Sequence, residues 1–192
     1  MEARTALLLI DVIGAFCHPQ GSMFCAQAPA TLRAIGRLLA AARTSGLLIV
    51  HTREQHLPGE PNWEQARIPP HCLVDTPETA WAPGVEPLPG ELVLPKRRYS
   101  AFFGTDLAIR LYEHDVKRLI ITGLKTNVCV RATVQDAFAY GFTVVVPREA
   151  VTSNRLHLHE ASLEDIERYF GHVVGLDEAL AMMGAVAPGV EL

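Results

Sequence analysis

The chain has 192 residues, a length that suits a single domain with one core rather than two domains. Hydrophobic residues make up 49% of the chain and charged residues 20%, a balance that excludes intrinsic disorder. The formal net charge of −4 offers no attraction to nucleic acid or to an acidic membrane, so we expect neither as a partner.

The four cysteines, Cys17, Cys25, Cys72 and Cys129, are spread along the chain without a CxxC pair. This spacing predicts neither a disulfide framework nor a cysteine-rich zinc site. The apolar run near the start is too short for a signal peptide core or a membrane span. We therefore expect a cytoplasmic location, where a thiol stays reduced and can serve as a nucleophile.

The chain begins with a predicted strand, helix and strand. A continuous apolar run over 6–12 is typical of a buried parallel strand, and Asp11 lies at its end. Residues 28–45 have the apolar spacing of a helix, and Gly46 is a stop signal. The second strand follows over 47–51.

A long irregular segment separates this first part from the rest of the chain. Residues 54–90 are rich in Pro and Gly, and a loop of such length in a compact domain is usually functional. The third strand, 91–95, leads directly into Lys96. The later predicted elements alternate in chain order: helix 105–114, strand 118–122, helix 127–140, strand 143–146, helix 156–170, strand 172–174 and helix 177–183.

Strands that alternate with helices in this way predict a single α/β domain over 1–192. Its doubly wound parallel sheet has six strands, with helices on both faces. Sites in such sheets lie beyond the carboxyl ends of the strands. This rule gathers polar and nucleophilic side chains that follow four different strands: Asp11, Arg53, Glu54, His56, Lys96 and Cys129.

Cys129 lies at the predicted start of the helix after the fourth strand. The helix dipole and a nearby Lys96 are expected to lower the pKa of the thiol. Asp11 could accept the thiol proton and return it to a leaving amine. Backbone N–H groups of Lys125 and Cys129 could hold a developing oxyanion. The alternative is structural: a core thiol, a loop-ordering carboxylate at 11 and a solvated lysine at 96.

Three segments resemble the isochorismatase-like cysteine hydrolases: Leu9-Ile10-Asp11, KRRYSAFFGTDL from Lys96, and TNVCV around Cys129. In that superfamily an Asp–Lys–Cys triad hydrolyses amides through a thioester, and the resemblance implies these roles for Asp11, Lys96 and Cys129. It also implies the strand order 3-2-1-4-5-6 and a cis peptide between Leu124 and Lys125. Members that cleave a vinyl ether lack the cysteine, so the amidase branch is favoured.

The long loop also carries a candidate metal site, made of Glu54, His56, Glu64 and His71. Two imidazoles and two carboxylates suit Zn²⁺, Mn²⁺ or Fe²⁺, although polar residues in a solvated loop give the same pattern. Resemblance to the nicotinamidase branch implies that these residues bind one divalent metal. The metal would hold the substrate ring while Cys129 attacks the carboxamide and releases ammonia. Glu54 replaces the aspartate that is usual in that branch.

The nicotinamidase resemblance further implies that Phe16, Tyr99 and Ile68 contact a small-molecule amide substrate. Ile68 stands where an aromatic residue is common in the branch. Lys125 stands where an apolar residue usually lines the pocket.

Two other interpretations stay open. The segment from Lys96 also resembles ureidoacrylate and related carbamoyl-amide hydrolases, which implies a metal-free enzyme whose substrate carboxylate could pair with Lys125 or Arg53. The chain could instead be a catalytically silent member of the fold that binds a ligand or partner. The resemblance implies a homodimer or homotetramer, and the histidines of 156–160 are expected to be solvated or interfacial.

Overall fold

A parallel sheet of seven strands forms the centre of the molecule, whose computed structural model describes residues 4–184. The strands are β1 (Arg4–Ile10), β2 (Leu48–Glu54), β3 (Leu92–Lys96), β4 (Val116–Leu124), β5 (Thr143–Pro147), β6 (Val151–Thr152) and β7 (His172–Val174). The helices are α1 (Gly14–Cys17), α2 (Ala28–Thr44), α3 (Leu107–Glu113), α4 (Arg131–Ala139), α5 (Leu156–Tyr169) and α6 (Leu176–Met182). The ends of the predicted domain, 1–3 and 185–192, lie outside the described residues.

The strands lie in the order β3-β2-β1-β4-β5-β7, so the predicted α/β class and strand order are confirmed. The sixth predicted strand is β7. The additional strand β6 pairs with the last two residues of β4, through Gly123 with Val151 and Leu124 with Thr152. Two residues carry no periodic pattern, which is why the sequence does not reveal this strand.

Helices cover both faces of the sheet, as predicted for a buried parallel sheet. In β1, Leu7 and Leu9 pack in the apolar cluster that contains residues of α2 and α6. Ala6, Leu8 and Ile10 pack in the opposite cluster, with residues of α3, α4 and α5. The continuous apolar run at the start of the chain therefore reflects burial on both sides. Among residues 4–184, no helix has the length and apolar character needed to cross a membrane.

The second strand extends beyond its predicted end, and this extension shapes the site. Within β2, Arg53 pairs with Pro95 and Glu54 pairs with Lys96 of β3. The strand therefore continues three residues past its predicted end at 51, and Glu54, the first residue of the predicted long loop, belongs to it. Backbone pairing with β3 holds the polar end of β2, which the hydrophobic pattern alone does not indicate.

Candidate active site

The strand order reverses direction between β1 and β4, and the carboxyl ends of the strands form a crevice there. Asp11 directly follows β1, Glu54 and Lys96 end β2 and β3, and Cys129 lies five residues beyond β4. All four side chains are buried. The fold thus brings the sequence-predicted triad to one place.

The lysine lies between the carboxylate and the thiol. Nζ of Lys96 is 2.7 Å from Oδ2 of Asp11 and 3.7 Å from Sγ of Cys129, and it also donates to the carbonyl oxygen of Arg98 at 2.9 Å. Sγ of Cys129 lies within 4.8 Å of a carboxylate oxygen of Asp11. The sulfur, ammonium and carboxylate are therefore close enough for proton transfer with small adjustments.

Asp11 is held from β2 by contacts that the sequence did not indicate. Its Oδ1 accepts hydrogen bonds from the Thr52 hydroxyl and from the backbone N–H of Glu54, both at 2.9 Å. The Thr52 oxygen in turn accepts from the backbone N–H of Asp11 at 3.1 Å. The Glu54 contact is made by the backbone, so no side-chain pattern indicates it. Thr52 shares a strand face with Glu54, and that spacing of two residues was the available signal for its hydroxyl.

The expected low pKa of the Cys129 thiol is wrong for this buried site. Burial raises the pKa of Cys129 well above its ordinary value, and Lys96 offsets only part of this, since Glu54 and Asp11 add negative charge. Burial also raises the pKa of Asp11 despite the attraction of Lys96. Cys129 therefore keeps its proton until a base accepts it, and Asp11 is a stronger base than an ordinary aspartate.

Lys96 remains an ammonium in spite of its complete burial. Burial alone lowers the pKa of a lysine, but the negative charges of Asp11 and Glu54 and the hydrogen bond to Asp11 raise the pKa of Lys96 above its ordinary value. Its positive charge can therefore stabilise negative charge on either neighbour throughout a reaction.

Glu54 connects this triad to the candidate metal residues. Its Oε2 is 3.7 Å from Sγ of Cys129 and 4.0 Å from Nζ of Lys96. Its Oε1 lies 3.1 Å from Nε2 of His56 and 3.0 Å from Nε2 of His71. Burial favours the neutral acid, but Lys96 and the two histidines hold the pKa of Glu54 well below its usual range. Glu54 is thus an anion and a weaker base than Asp11.

The four candidate metal ligands form one buried cluster. Glu54, His56, Glu64 and His71 each offer a ligand atom, and these atoms lie within 4.8 Å of one another. Neither carboxylate oxygen of Glu64 has a hydrogen-bond partner within the described part of the chain. Buried, unpartnered carboxylate oxygens beside two imidazoles are a donor set that fits a divalent cation.

The turn between β4 and α4 carries the candidate oxyanion donors. A cis peptide joins Leu124 to Lys125, as the resemblance implied, and a π-helical turn covers Thr126–Val130.

The Thr126 hydroxyl lies 2.8 Å from Nδ1 of His159, which is buried. The expectation that His159 is solvated or interfacial is therefore wrong, because the packing of α5 against this turn covers the ring.

A cavity of about 270 Å³ opens onto Cys129. The three residues predicted to contact the substrate, Phe16, Ile68 and Tyr99, line it, and so does Lys125. Arg53 does not line it, because its guanidinium lies 5.3 Å from the centroid of the Trp81 ring. Six further residues line the cavity that were not predicted as substrate contacts: Met23, Asn127, Val128, Asn154, Arg155 and Leu158.

The protein is thus a single α/β domain with a parallel sheet, in which a buried aspartate, lysine and cysteine meet at the switch point of the strand order. Residues 5–178 match the isochorismatase domain, and the chain belongs to this family. It is 33% identical over 189 residues to a maleamate amidohydrolase of Pseudomonas putida, a match that covers 96% of this chain and 89% of the relative.

Two further relatives are named for different substrates, and one of them is described in complex with zinc. The ureidoacrylate amidohydrolase RutB of Variovorax paradoxus is 32% identical over 200 residues, covering 91% of this chain and 79% of that protein. A crystal structure of the pyrazinamidase of Pyrococcus horikoshii in complex with zinc has a TM-score of 0.82 and 30% identity, covering 90% of this chain and 99% of that one. The relatives are amidohydrolases that act on different small-molecule amides.

Proposed function

We propose that this chain is a cysteine-dependent amidohydrolase that converts a small-molecule carboxamide to a carboxylate and ammonia through a thioester. The observation that carries the proposal is the placement of the Lys96 ammonium 2.7 Å from Asp11 and 3.7 Å from Sγ of Cys129, the member of the triad that lines the cavity. The amidohydrolase relatives support the same reaction class.

In the first half of the reaction, Sγ of Cys129 attacks the amide carbon while its proton passes to Asp11. Backbone N–H groups of Lys125 and Cys129 hold the oxyanion that develops on the carbonyl oxygen. The carbon–nitrogen bond then breaks, and the proton on Asp11 goes to the leaving nitrogen, which departs as ammonia. A thioester on Cys129 remains.

In the second half, Asp11 takes a proton from water as the water oxygen attacks the thioester carbon. The carbon–sulfur bond breaks, the proton on Asp11 returns to sulfur, and the acid product releases its remaining proton to solvent and leaves as a carboxylate. Lys96 stays charged and stabilises the carboxylate and the sulfur in turn. Asp11 rather than Glu54 serves as the base, because Oε1 of Glu54 faces both histidines of the cluster, whereas burial raises the pKa of Asp11.

The cluster of Glu54, His56, Glu64 and His71 would hold a divalent metal, which supplies a Lewis acid that can bind a substrate heteroatom. Nδ1 of His71 donates to the carbonyl oxygen of Pro69 at 2.9 Å, which leaves Nε2 to face the cluster. The Asn62 amide nitrogen faces Nδ1 of His56 at 3.1 Å. Binding through Nε2 of His56 therefore requires that amide to turn its oxygen toward the ring.

A second candidate, hydrolysis of nicotinamide, is favoured by this cluster in particular. A metal in the cluster would lie beside the cavity, since Glu54 and His71 both line it. Phe16 and Tyr99 would contact the pyridine ring. Nicotinamide turnover that is lost in His71→Ala together with bound metal would support this candidate, and turnover of aliphatic amides without metal would exclude it.

The amidohydrolase proposal is tested by ammonia release across a panel of aliphatic and aromatic carboxamides, with hydroxylamine added to intercept the thioester as a hydroxamate. Wild-type protein is expected to release ammonia and form hydroxamate, and Cys129→Ala to do neither. Cys17→Ala is the matched control, because it removes a buried thiol that does not line the cavity. Equal ammonia release by wild type and Cys129→Ala would refute the proposed nucleophile.

A further inference from the structure

A buried histidine outside both the triad and the metal cluster contacts the turn that carries the nucleophile. His159 of α5 and Thr126, the first residue of the π-helical turn, are 8% and 0% exposed. Nδ1 of His159 lies 2.8 Å from Oγ1 of Thr126, although the two residues are 33 positions apart. The contact therefore joins α5 to the stretch of chain between the two proposed oxyanion donors, Lys125 and Cys129.

The hydrogen bond runs from the threonine to the histidine. Burial lowers the pKa of His159, so the imidazole is neutral at neutral pH and has one donor and one acceptor nitrogen. The carboxylate of Glu160, which can only accept, lies 3.7 Å from Nε2 and favours the hydrogen on that nitrogen. Nδ1 is then the acceptor, and the Thr126 hydroxyl donates to it.

Backbone hydrogen bonds make the turn a connected unit. The carbonyl oxygen of Lys125 accepts from the N–H groups of Val128 and Val130, at 3.0 and 3.2 Å. These bonds link Lys125 to the two residues that flank Cys129. A shift of Thr126 relative to α5 would therefore move both proposed oxyanion donors together.

We infer that His159 is a positioning residue for the oxyanion hole. By accepting the hydrogen of the Thr126 hydroxyl, it keeps the two proposed N–H donors of the turn directed at the developing oxyanion. The inference rests on the proposed amidohydrolase function, which assigns those donors. Donors of this kind are effective when they are held in place before the charge develops, and small displacements slow the reaction. His159 acts through Thr126 and not on the substrate itself.

Two reagents for Cys129 separate oxyanion stabilisation from the reactivity of the thiol. In acylation by p-nitrophenyl acetate, Sγ attacks the ester carbon, an oxyanion forms, and its collapse expels nitrophenolate and leaves an acetyl thioester, while the thiol proton passes to Asp11. In methylation by iodomethane, Sγ attacks the methyl carbon and iodide leaves, so no charge develops on oxygen. Nitrophenolate release and mass spectrometry of Cys129 measure the two rates, with Cys129→Ala as the blank.

In His159→Leu, acylation is expected to slow by about 10- to 100-fold while methylation changes by less than about 3-fold. His159→Asn should retain most of the acylation rate, because its side-chain oxygen can accept from the Thr126 hydroxyl close to the position of Nδ1. His157→Leu is the matched control and should change neither rate, since His157 is exposed on the same helix.

Thr126→Val removes the other partner of the hydrogen bond with little change in shape. It should slow acylation as His159→Leu does, and the double variant should be no slower than the slower single variant, because both changes remove one contact. Equal slowing of acylation and methylation in His159→Leu and Thr126→Val would assign the contact to packing of the turn and overturn the inference. Unchanged acylation in both variants would overturn it as well.

A different result marks failure of the proposed function. Wild-type acylation no faster than that of Cys129→Ala would refute the nucleophile, and the inference with it. Acylation that depends on Cys129 but not on His159 would leave the nucleophile in place and overturn the inference alone.

Discussion

Nζ of Lys96 lies 2.7 Å from Oδ2 of Asp11, and both side chains are completely buried. A buried ion pair of this kind has two consequences that can be separated. Removal of one partner leaves an uncompensated charge in the interior, which typically costs about 3–5 kcal/mol. The same removal takes the proposed base or its electrostatic partner from the site.

Asp11→Asn should therefore lower both activity and stability. We expect kcat for ammonia release to fall by roughly 10²- to 10⁴-fold, the usual contribution of a general base. The free energy of unfolding should fall by about 2–4 kcal/mol, less than for a fully unpaired lysine because Glu54 lies 4.0 Å from Nζ of Lys96. Steady-state kinetics and urea denaturation of the same preparations measure the two effects.

The double variant Asp11→Asn/Lys96→Met distinguishes these effects. Loss of both charges should restore much of the free energy of unfolding while activity stays at the level of the single variant or below. If the double variant is less stable than Asp11→Asn, the buried ion pair is not the source of the destabilisation.

The sequence predicts the positions of Asp11, Lys96 and Cys129 well, because each follows a strand whose apolar run is easy to recognise. It does not predict the pKa of Cys129, since that depends on complete burial and on Glu54. Glu54 was assigned only to the metal cluster. Its second oxygen lies 3.7 Å from Sγ of Cys129 because β2 continues as far as Glu54. The end of β2 is determined by its pairing with β3 and not by the hydrophobic pattern.

Residues that support the site from a distance in sequence could not be found from local patterns. His159 lies 2.8 Å from the Thr126 hydroxyl, a contact made by the packing of α5. Arg53 lies next to Glu54 on β2 but points to Trp81. Side chains alternate along a strand, so a shift of one residue decides which of two polar neighbours faces the cavity.

Gly123 is required where β4 approaches β1. Its φ is +116°, and a Cβ at this position would lie 2.0 Å from the carbonyl oxygen of Ile10. Gly123→Ala must therefore displace β4 from β1, next to Asp11 and before the turn that carries Cys129. We expect loss of at least about 3 kcal/mol of unfolding free energy together with a large loss of kcat, measured by denaturation and ammonia release.

Gly36 of α2 provides the control for this prediction, because a Cβ there meets no atom within 4 Å. Gly36→Ala should leave kcat unchanged and keep or raise the stability, as expected for alanine in a helix. Wild-type behaviour of Gly123→Ala would contradict the close approach of the two strands.

The Glu91 carboxylate should make the free energy of unfolding depend on pH in the acidic range. Its carboxylate accepts hydrogen bonds from Arg43 at 2.7 and 3.0 Å, and it lies 2.8 Å from Nε2 of His51. Burial favours the neutral acid, but Arg43, the backbone N–H of Leu88 and His51 lower the pKa of Glu91 to about 2. A lowered pKa stabilises the fold above the unfolded value of about 4.3, and this stabilisation is lost as the pH falls toward 2.

Glu91→Gln should consequently lower the free energy of unfolding by roughly 1–3 kcal/mol at neutral pH. The difference between wild type and variant should shrink as the pH falls from about 4 toward 2, which urea denaturation over a pH series measures. Glu149→Gln changes an exposed glutamate and should show neither effect. A difference that is independent of pH would mean that the ionised form of Glu91 is not what stabilises the fold.

Metal binding by the cluster is expected to require both imidazoles and the unpartnered carboxylate of Glu64. Protein incubated with Zn²⁺ and freed of excess should retain one metal per chain by elemental analysis. Its Tm should rise with Zn²⁺, because a free Zn²⁺ concentration one hundredfold above Kd stabilises the fold by about 2.7 kcal/mol. His56→Ala and Glu64→Gln should reduce both the metal content and the Tm shift. His172→Ala removes an exposed imidazole on β7 and should reduce neither. Retention of metal in His56→Ala, or its absence from the wild type, would show that the buried carboxylates and imidazoles pair with each other instead of with a cation.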